Sequence, residues 1–230
     1  ARAAREAALG AGAIIKQITA GALDEYDLAE IKEIQPNIIL LAGGVDYGEK
    51  RIVVQNAKAI ASLGPIAPVI YAGNIAIRAQ IKDIFERAGI ELMLAENVFP
   101  AVDQLNIEPV RVIIHELFNK HIVHAPGMSR LAELTQAPVL PTPGAVLLAA
   151  KLFAEALGDV LVIDVGGATT DVHSVTEGSL EWTSRLTDPE PVAKRTVEGD
   201  LGVFVNAANI LALANDPEWE AEMEHLMAMP

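Results

Sequence analysis

The stretch Leu161-Val-Ile-Asp-Val-Gly-Gly-Ala-Thr-Thr-Asp-Val-His173 decides how this chain is read. It belongs to an apolar run, 160–165, interrupted only by Asp164. A carboxylate in such a run is costly to bury unless it is paired or acts on a cation. Gly166 and Gly167 follow at once. Glycine lets the backbone turn sharply and approach a ligand closely. Successive N–H groups in such a turn form an anion-binding nest. Thr169 and Thr170 add hydroxyls, and Asp171 closes the loop on a returning strand, 169–176. Carboxylate, Gly-Gly, hydroxyls and carboxylate together suit a magnesium-bound polyphosphate. A β-hairpin with a glycine turn and solvated aspartates is the plainer alternative. The full D-x-G-G-x-T-x-D string after an apolar strand is more specific and favours the phosphate loop.

Working outward, a Glu177-Gly178 turn and a run at 180–184 extend the hairpin into an antiparallel meander. Upstream, Pro143 opens an apolar helix, 144–157, which Gly158 stops. Downstream, 188–191 reads as a linker. Residues 192–214 carry Gly199 and Gly202 and then turn helical, and 217–229 reads as an amphipathic helix. The first half has another rhythm. A helix at 1–9, already under way at the first residue, is stopped by Gly10 and Gly12. That start reads as a fragment of something longer. A strand at 14–19 and a polar helix at 24–33 follow. Apolar strands at 37–42, 66–71 and 90–94 then alternate with helices at 49–63 and 74–88, the second capped by Asn74 and stopped by Gly89. Such alternation with short Gly-rich links predicts parallel βαβ units. Residues 100–120 read as mostly helical, and 121–143 as irregular chain around one short helix, 129–134. The expected fold is α/β: a parallel α/β module at 1–140 and a half-domain with an antiparallel β-meander at 141–230.

Composition bounds the function. Of 230 residues, 51% are hydrophobic and only 4% aromatic, so Ala, Ile, Leu and Val must build the core. That is the usual filling of a buried parallel sheet. A mean hydropathy of +0.31 implies a deeply buried sheet or apolar surface facing another segment or partner. With 17 Lys and Arg against 31 Asp and Glu, the net charge of -14 should repel nucleic acid and anionic membranes. No run is long enough to span a bilayer, and no signal peptide opens the chain. The absence of Cys excludes disulfides and thiolate metal sites and is compatible with a cytoplasmic protein.

Other candidates carry plainer readings. Gly43-Gly44 and Gly73-Asn74 follow strands whose ends often bind ligands. Asp46, Tyr47 and Asn74 there could line a second site or a partner surface. Without a G-x-G-x-x-G fingerprint a tight turn is favoured, and a dinucleotide enzyme is disfavoured. Glu198 and Asp200 lie beside a ligand or partner, or in an ordinary helix-entry loop. His115, His121 and His124 are too loosely spaced to favour a metal site. His173 is expected to alternate outward, and the acidic cluster at 218–224 to be a solvated helix face.

Asp164, Gly166, Gly167, Thr169 and Asp171 resemble the second phosphate loop of the superfamily of actin, sugar kinases and heat-shock chaperones. The resemblance makes the second half actin-like (ribonuclease H-like). It implies that Asp164 acts on magnesium or the attacking water, and that Gly166, Gly167 and Thr169 hold phosphates. Asp164 and Asp171 are thus the candidate catalytic residues, Asp164 the candidate metal ligand, and Gly166, Gly167, Thr169 and Thr170 the candidate nucleotide contacts. Four further strings narrow the likeness: Ile39-Leu-Leu-Ala-Gly-Gly-Val-Asp-Tyr-Gly48, Val69-Ile-Tyr-Ala-Gly-Asn74, Pro141-Thr-Pro-Gly-Ala145 and Lys194-Arg-Thr-Val-Glu-Gly-Asp-Leu-Gly202. Over nearly its whole length the chain is similar to the MutL family linked to glutamate mutase, which is unrelated to the mismatch-repair protein of the same name. That resemblance implies a reactivating chaperone for an adenosylcobalamin-dependent mutase, with ATP or ADP and Mg2+ as cofactors. It further implies slow ATP hydrolysis, mutase subunits as partners and possible homo-oligomers. The superfamily's earlier phosphate loop and later adenosine segment have no counterpart here, implying one side of a nucleotide cleft. Hydantoinase and oxoprolinase subunits carry a similar loop and offer an enzymatic alternative. A nucleotide-free interaction module is the third.

Overall fold

The computed structural model describes residues 1–122, 140–186 and 190–214, without the side chains of residues 119, 121, 122 and 214. Two three-stranded sheets organise them. The first is parallel: β1 (Ile39–Leu41), β2 (Val69–Tyr71) and β3 (Leu92–Leu94), in that order. Ile39 pairs with Val69, and Val69 with Leu92. Helices α3 (Arg51–Ala61) and α4 (Arg78–Arg87) make the crossovers. Between β2 and α4 stands a 3-10 turn, Ile75–Ile77, capped by the Asn74 side chain. Every residue of β2 is buried, because both faces of the sheet are covered. On one face Ile70 and Ala72 meet α1 (Arg2–Gly10) and α5 (Glu108–Ile122) through Ala7, Val110, Ile114 and Leu117. On the other, Val69 and Tyr71 meet α3 and α4 through Val53, Ile60, Ile81 and Phe85.

The second sheet is antiparallel: β4 (Val160–Val165), β5 (Thr170–Val175) and β6 (Ala193–Glu198). Helix α6 (Thr142–Leu157) has Pro143 in its first turn and ends at Gly158, whose φ is +85. It packs Leu147 and Ala150 on the inner face of this sheet, against Val175 and Ala193. The outer face of β4 shows Leu161, Ile163 and Val165, all more than half exposed. The architecture is therefore mixed α/β with one parallel and one antiparallel sheet, as expected. Helix α1 belongs to the first stretch yet also packs on β6 of the second.

Three expectations are corrected. The meander's third strand is β6, because residues 180–184 hold a short helix, α7 (Leu180–Thr183). Ser179 caps it through Trp182 N, and all of residues 180–184 are exposed, so neither face offers a strand an inward side. Residues 14–19 alternate in exposure but form no strand. They find no ladder partner among the described residues, and Asn56 of α3 ties the chain just beyond through Gly21 O and Leu23 N. The third correction concerns His173, below. The helices expected at 129–134 and 217–229 and the acidic cluster at 218–224 lie outside the described residues, as do residues 188 and 189 of the linker at 188–191. A further helix, α8 (Ala207–Ala214), closes the described chain.

Candidate functional site

The tip between β4 and β5 is the candidate site. Asp164 stands directly opposite Asp171 across the ladder, and both face the α6 side. Two carboxylates so placed repel each other unless a cation intervenes. For Asp171 that cation is Arg195 on β6. Its Nε donates to Asp171 Oδ1 at 2.6 Å, and both side chains are almost fully buried. Asp171 Oδ2 accepts from Thr169 Oγ1 at 3.4 Å. Asp164 is half-buried and receives no hydrogen bond or ion pair among the described residues. The two aspartates, alike in sequence, are thus unlike in surroundings.

The turn itself is polarised. Gly166 N donates to Thr169 O at 2.8 Å, closing the hairpin. The carbonyls of Gly166 and Gly167 accept from Val203, Phe204 and Val205 N, and Ala168 O accepts from Asn206 Nδ2. Thr170 Oγ1 donates to Leu201 O. A second loop, 199–206, therefore grips the carbonyl side of the turn. Contact is close enough to demand glycine: a Cβ on Gly202 would lie 2.2 Å from the Ala168 carbonyl carbon. The N–H groups of Gly167, Ala168 and Thr169 bond no acceptor among the described residues. Gly167 and Ala168 are exposed.

His173 lies two residues beyond Asp171 on the same face. Instead of pointing outward it is fully buried, opposite Val162 and Arg195. Pairing of Asp171 with Arg195 fixes the phase of β5, and His173 follows by period two. Neither ring nitrogen has a partner among the described residues. Burial pushes its pKa down, with Asp171 opposing and Arg195 assisting, so the ring is neutral. Sequence reasoning missed Arg195 as a builder of this site, and it singled out the start of the 199–206 loop for Glu198 and Asp200 rather than for its hold on the turn. The signal for Arg195 was its shared phase with Ala193 in a run that alternates.

Three of the other candidates, Asn74, Asp46 and His115, hold loops and helix ends in place. Asn74 is fully buried: its Oδ1 accepts from Tyr47 N and Ala76 N, and its Nδ2 donates to Gly48 O and Glu49 O. Asp46 Oδ1 accepts from Ile75 N and Asn97 Nδ2. These groups bind the three strand-end loops to one another, and Gly44 turns with φ +72. A cavity of about 400 Å³ opens beside Gly43, Gly44 and Phe99, distant in sequence from the glycine turn. Asn97 on its wall already donates to Gly44 O and accepts from Phe99 N. Glu198 and Asp200 are exposed, and Asp200 O accepts from Asn209 Nδ2. His115 Nε2 lies 3.1 Å from Ala11 O, joining α5 to the end of α1. His124 and the side chain of His121 fall outside the described residues. No group of three or more His, Asp or Glu among the described residues could hold a metal. No helix among them is long and apolar enough to cross a membrane.

The fold and the turn together define an α/β protein whose most polarised feature is a glycine hairpin set between two aspartates. The chain belongs to the MutL family: the family model described as "MutL protein" matches residues 1–228. It is 42% identical over 229 residues to "Protein MutL" of Clostridium tetanomorphum, covering 96% of this chain and 48% of that protein. The chain thus spans about half the length of the curated relative it matches. No solved structure matches it.

Proposed function

We propose that this chain supplies one side of an Mg·ATP site in a reactivating chaperone for an adenosylcobalamin-dependent mutase such as glutamate mutase. One observation supports the reading: the carbonyls of residues 166–168 are engaged by the 199–206 loop, while three successive N–H groups of the turn, those of Gly167, Ala168 and Thr169, have no acceptor among the described residues. An array of donors with no competing acceptor suits phosphate oxygens. Asp164, half-buried with no cation paired to it among the described residues, suits a magnesium ion or a metal-bound water. Magnesium keeps most of its ligands from water and phosphate, so a single protein carboxylate is enough. In this arrangement Gly167, Ala168 and Thr169 bind the anion. Asp164 orients the ion or the water. Asp171, neutralised by Arg195, holds the Thr169 hydroxyl and so positions the turn rather than reacting itself. Bound Mg·ATP would supply a γ-phosphate whose loss changes the charge at the turn. That change would shift the protein between states that hold or release the mutase.

The test is calorimetric titration of the full-length protein with Mg·ATP, with Asp164→Ala as the comparison. Binding by the wild type that disappears in the variant supports the site. Equal magnesium-dependent affinity in the variant would remove Asp164 from it. Absence of binding in the wild type would leave the turn as a hairpin and the chain as an interaction module.

A further inference from the structure

In a chain of net charge -14, cations left without acid partners are informative. Most described lysines and arginines are ion-paired, such as Lys82 with Glu86, Arg87 with Asp83 and Lys151 with Glu108. Those with no ion pair among the described residues are Lys16, Lys32, Lys50, Arg51, Lys58 and Arg78. Three of these six, Lys50, Arg51 and Lys58, line a single groove of about 470 Å³ beside α3, shared with Val54, Gln55 and Gln80 of α4. The nearest acid in sequence, Glu49, is turned to the helix start, where Oε1 accepts from Ile52 N. That carboxylate answers the positive end of α3 and makes no ion pair with the three groove cations among the described residues.

We propose that this groove docks an acidic segment of a protein partner. Charge complementarity selects the partner's sign: three clustered cations on an otherwise acidic surface attract carboxylates and reject basic chains. The remaining lining selects a peptide over a bare phosphate. Gln55 and Gln80 each offer an amide donor and acceptor, which matches peptide backbone, and Val54 gives an apolar contact. The Arg51 guanidinium forks onto a carboxylate, while Lys50 and Lys58 act as point charges. The net charge of the whole molecule repels every anion, but extended polyanions such as nucleic acid and anionic vesicles meet it over a far larger area than a short acidic segment seated on so small a patch. The groove lies on the α3–α4 side of the parallel sheet, away from the glycine turn. A contact there would leave the turn free.

The experiment uses the full-length protein and a fluorescein-labelled hexaglutamate peptide, followed by anisotropy at low salt. Arg51→Glu with Lys58→Glu reverses the groove. Lys16→Glu with Lys32→Glu makes the same change in net charge at exposed lysines elsewhere. The groove variant is expected to weaken peptide binding at least about tenfold, and the control by less than about threefold, since the local field decides. All four residues are exposed, so thermal midpoints should stay close to wild type. Equal weakening by both variants, or no binding by the wild type, overturns the proposal. So does displacement of the peptide by inorganic tripolyphosphate or anionic vesicles at lower charge concentration than by unlabelled peptide.

Discussion

Asp164 and Asp171 face each other across one ladder, and the difference between them comes chiefly from β6, which reaches Asp171 with a cation while the turn adds the Thr169 hydroxyl. His173 shares that inward face as a buried neutral ring. Its pKa and that of His115 are both lowered by burial. Above about pH 6.5 both rings are neutral in the folded and unfolded chain. Below it, the unfolded chain takes up protons that the native state refuses. Stability therefore falls with pH, by up to about 1.4 kcal/mol per pH unit for each such ring, until the lowered native pKa is reached. His173→Leu is expected to reduce that slope between pH 6.5 and 5.5. Urea unfolding midpoints across this range provide the check, and an unchanged slope would mean that His173 is not held neutral.

At the scale of elements, the glycine hairpin is shaped as much by the loop beneath it as by its own sequence. Gly202→Ala forces a methyl group against the Ala168 backbone, a clash worth roughly 1–3 kcal/mol. The loop should lift, and the amides of Val203, Phe204 and Val205 should exchange with solvent faster than in wild type, while β2 amides keep their protection. Exchange unchanged at those three amides would show that the loop does not grip the turn. The parallel strands were legible because continuous apolar runs ending in glycine are what a doubly covered sheet requires. The helix ends were legible through Asn74, Gly89, Pro143 and Gly158. The third antiparallel strand was not. Leu180-Glu-Trp-Thr offers hydrophobic residues but a serine cap, and Ala193–Glu198 hides its inward phase behind Lys194 and Arg195. An arginine in a strand reads as surface until its buried partner, here Asp171, is known. For the same reason the Asp–Gly–Gly–Thr string could be located from sequence, whereas the division of labour between its two aspartates could not.

Across the whole molecule, two buried arginines tie the antiparallel sheet to the helices of the parallel module. Arg195 donates to Leu9 O at the end of α1 as well as to Asp171. Arg111 of α5 donates to Ala193 O, and it passes so close to α1 that a Cβ on Gly10 would overlap its guanidinium at 2.1 Å. β6 is thereby held from both sides. Arg195→Ala strands Asp171 as a buried unpaired carboxylate and severs one tie, so a loss of about 3–5 kcal/mol is expected in urea unfolding. Asp171→Asn in the same background should recover part of it, because the orphaned charge is gone. No recovery would indicate that the tie to Leu9, rather than the ion pair, carries the stability.

The outer face of β4 has a bearing on how this protein behaves in the tube. Leu161, Ile163 and Val165 lie on the outer face of β4, which among the described residues is an edge of the antiparallel sheet with β5 as its one ladder partner. A wetted aliphatic row next to an unpaired backbone edge is the first place where two molecules adhere. Sulfate and other surface-excluded salts strengthen such burial. Concentrated salt of that kind is therefore expected to favour contacts between molecules through this row, against the charge that otherwise keeps them apart.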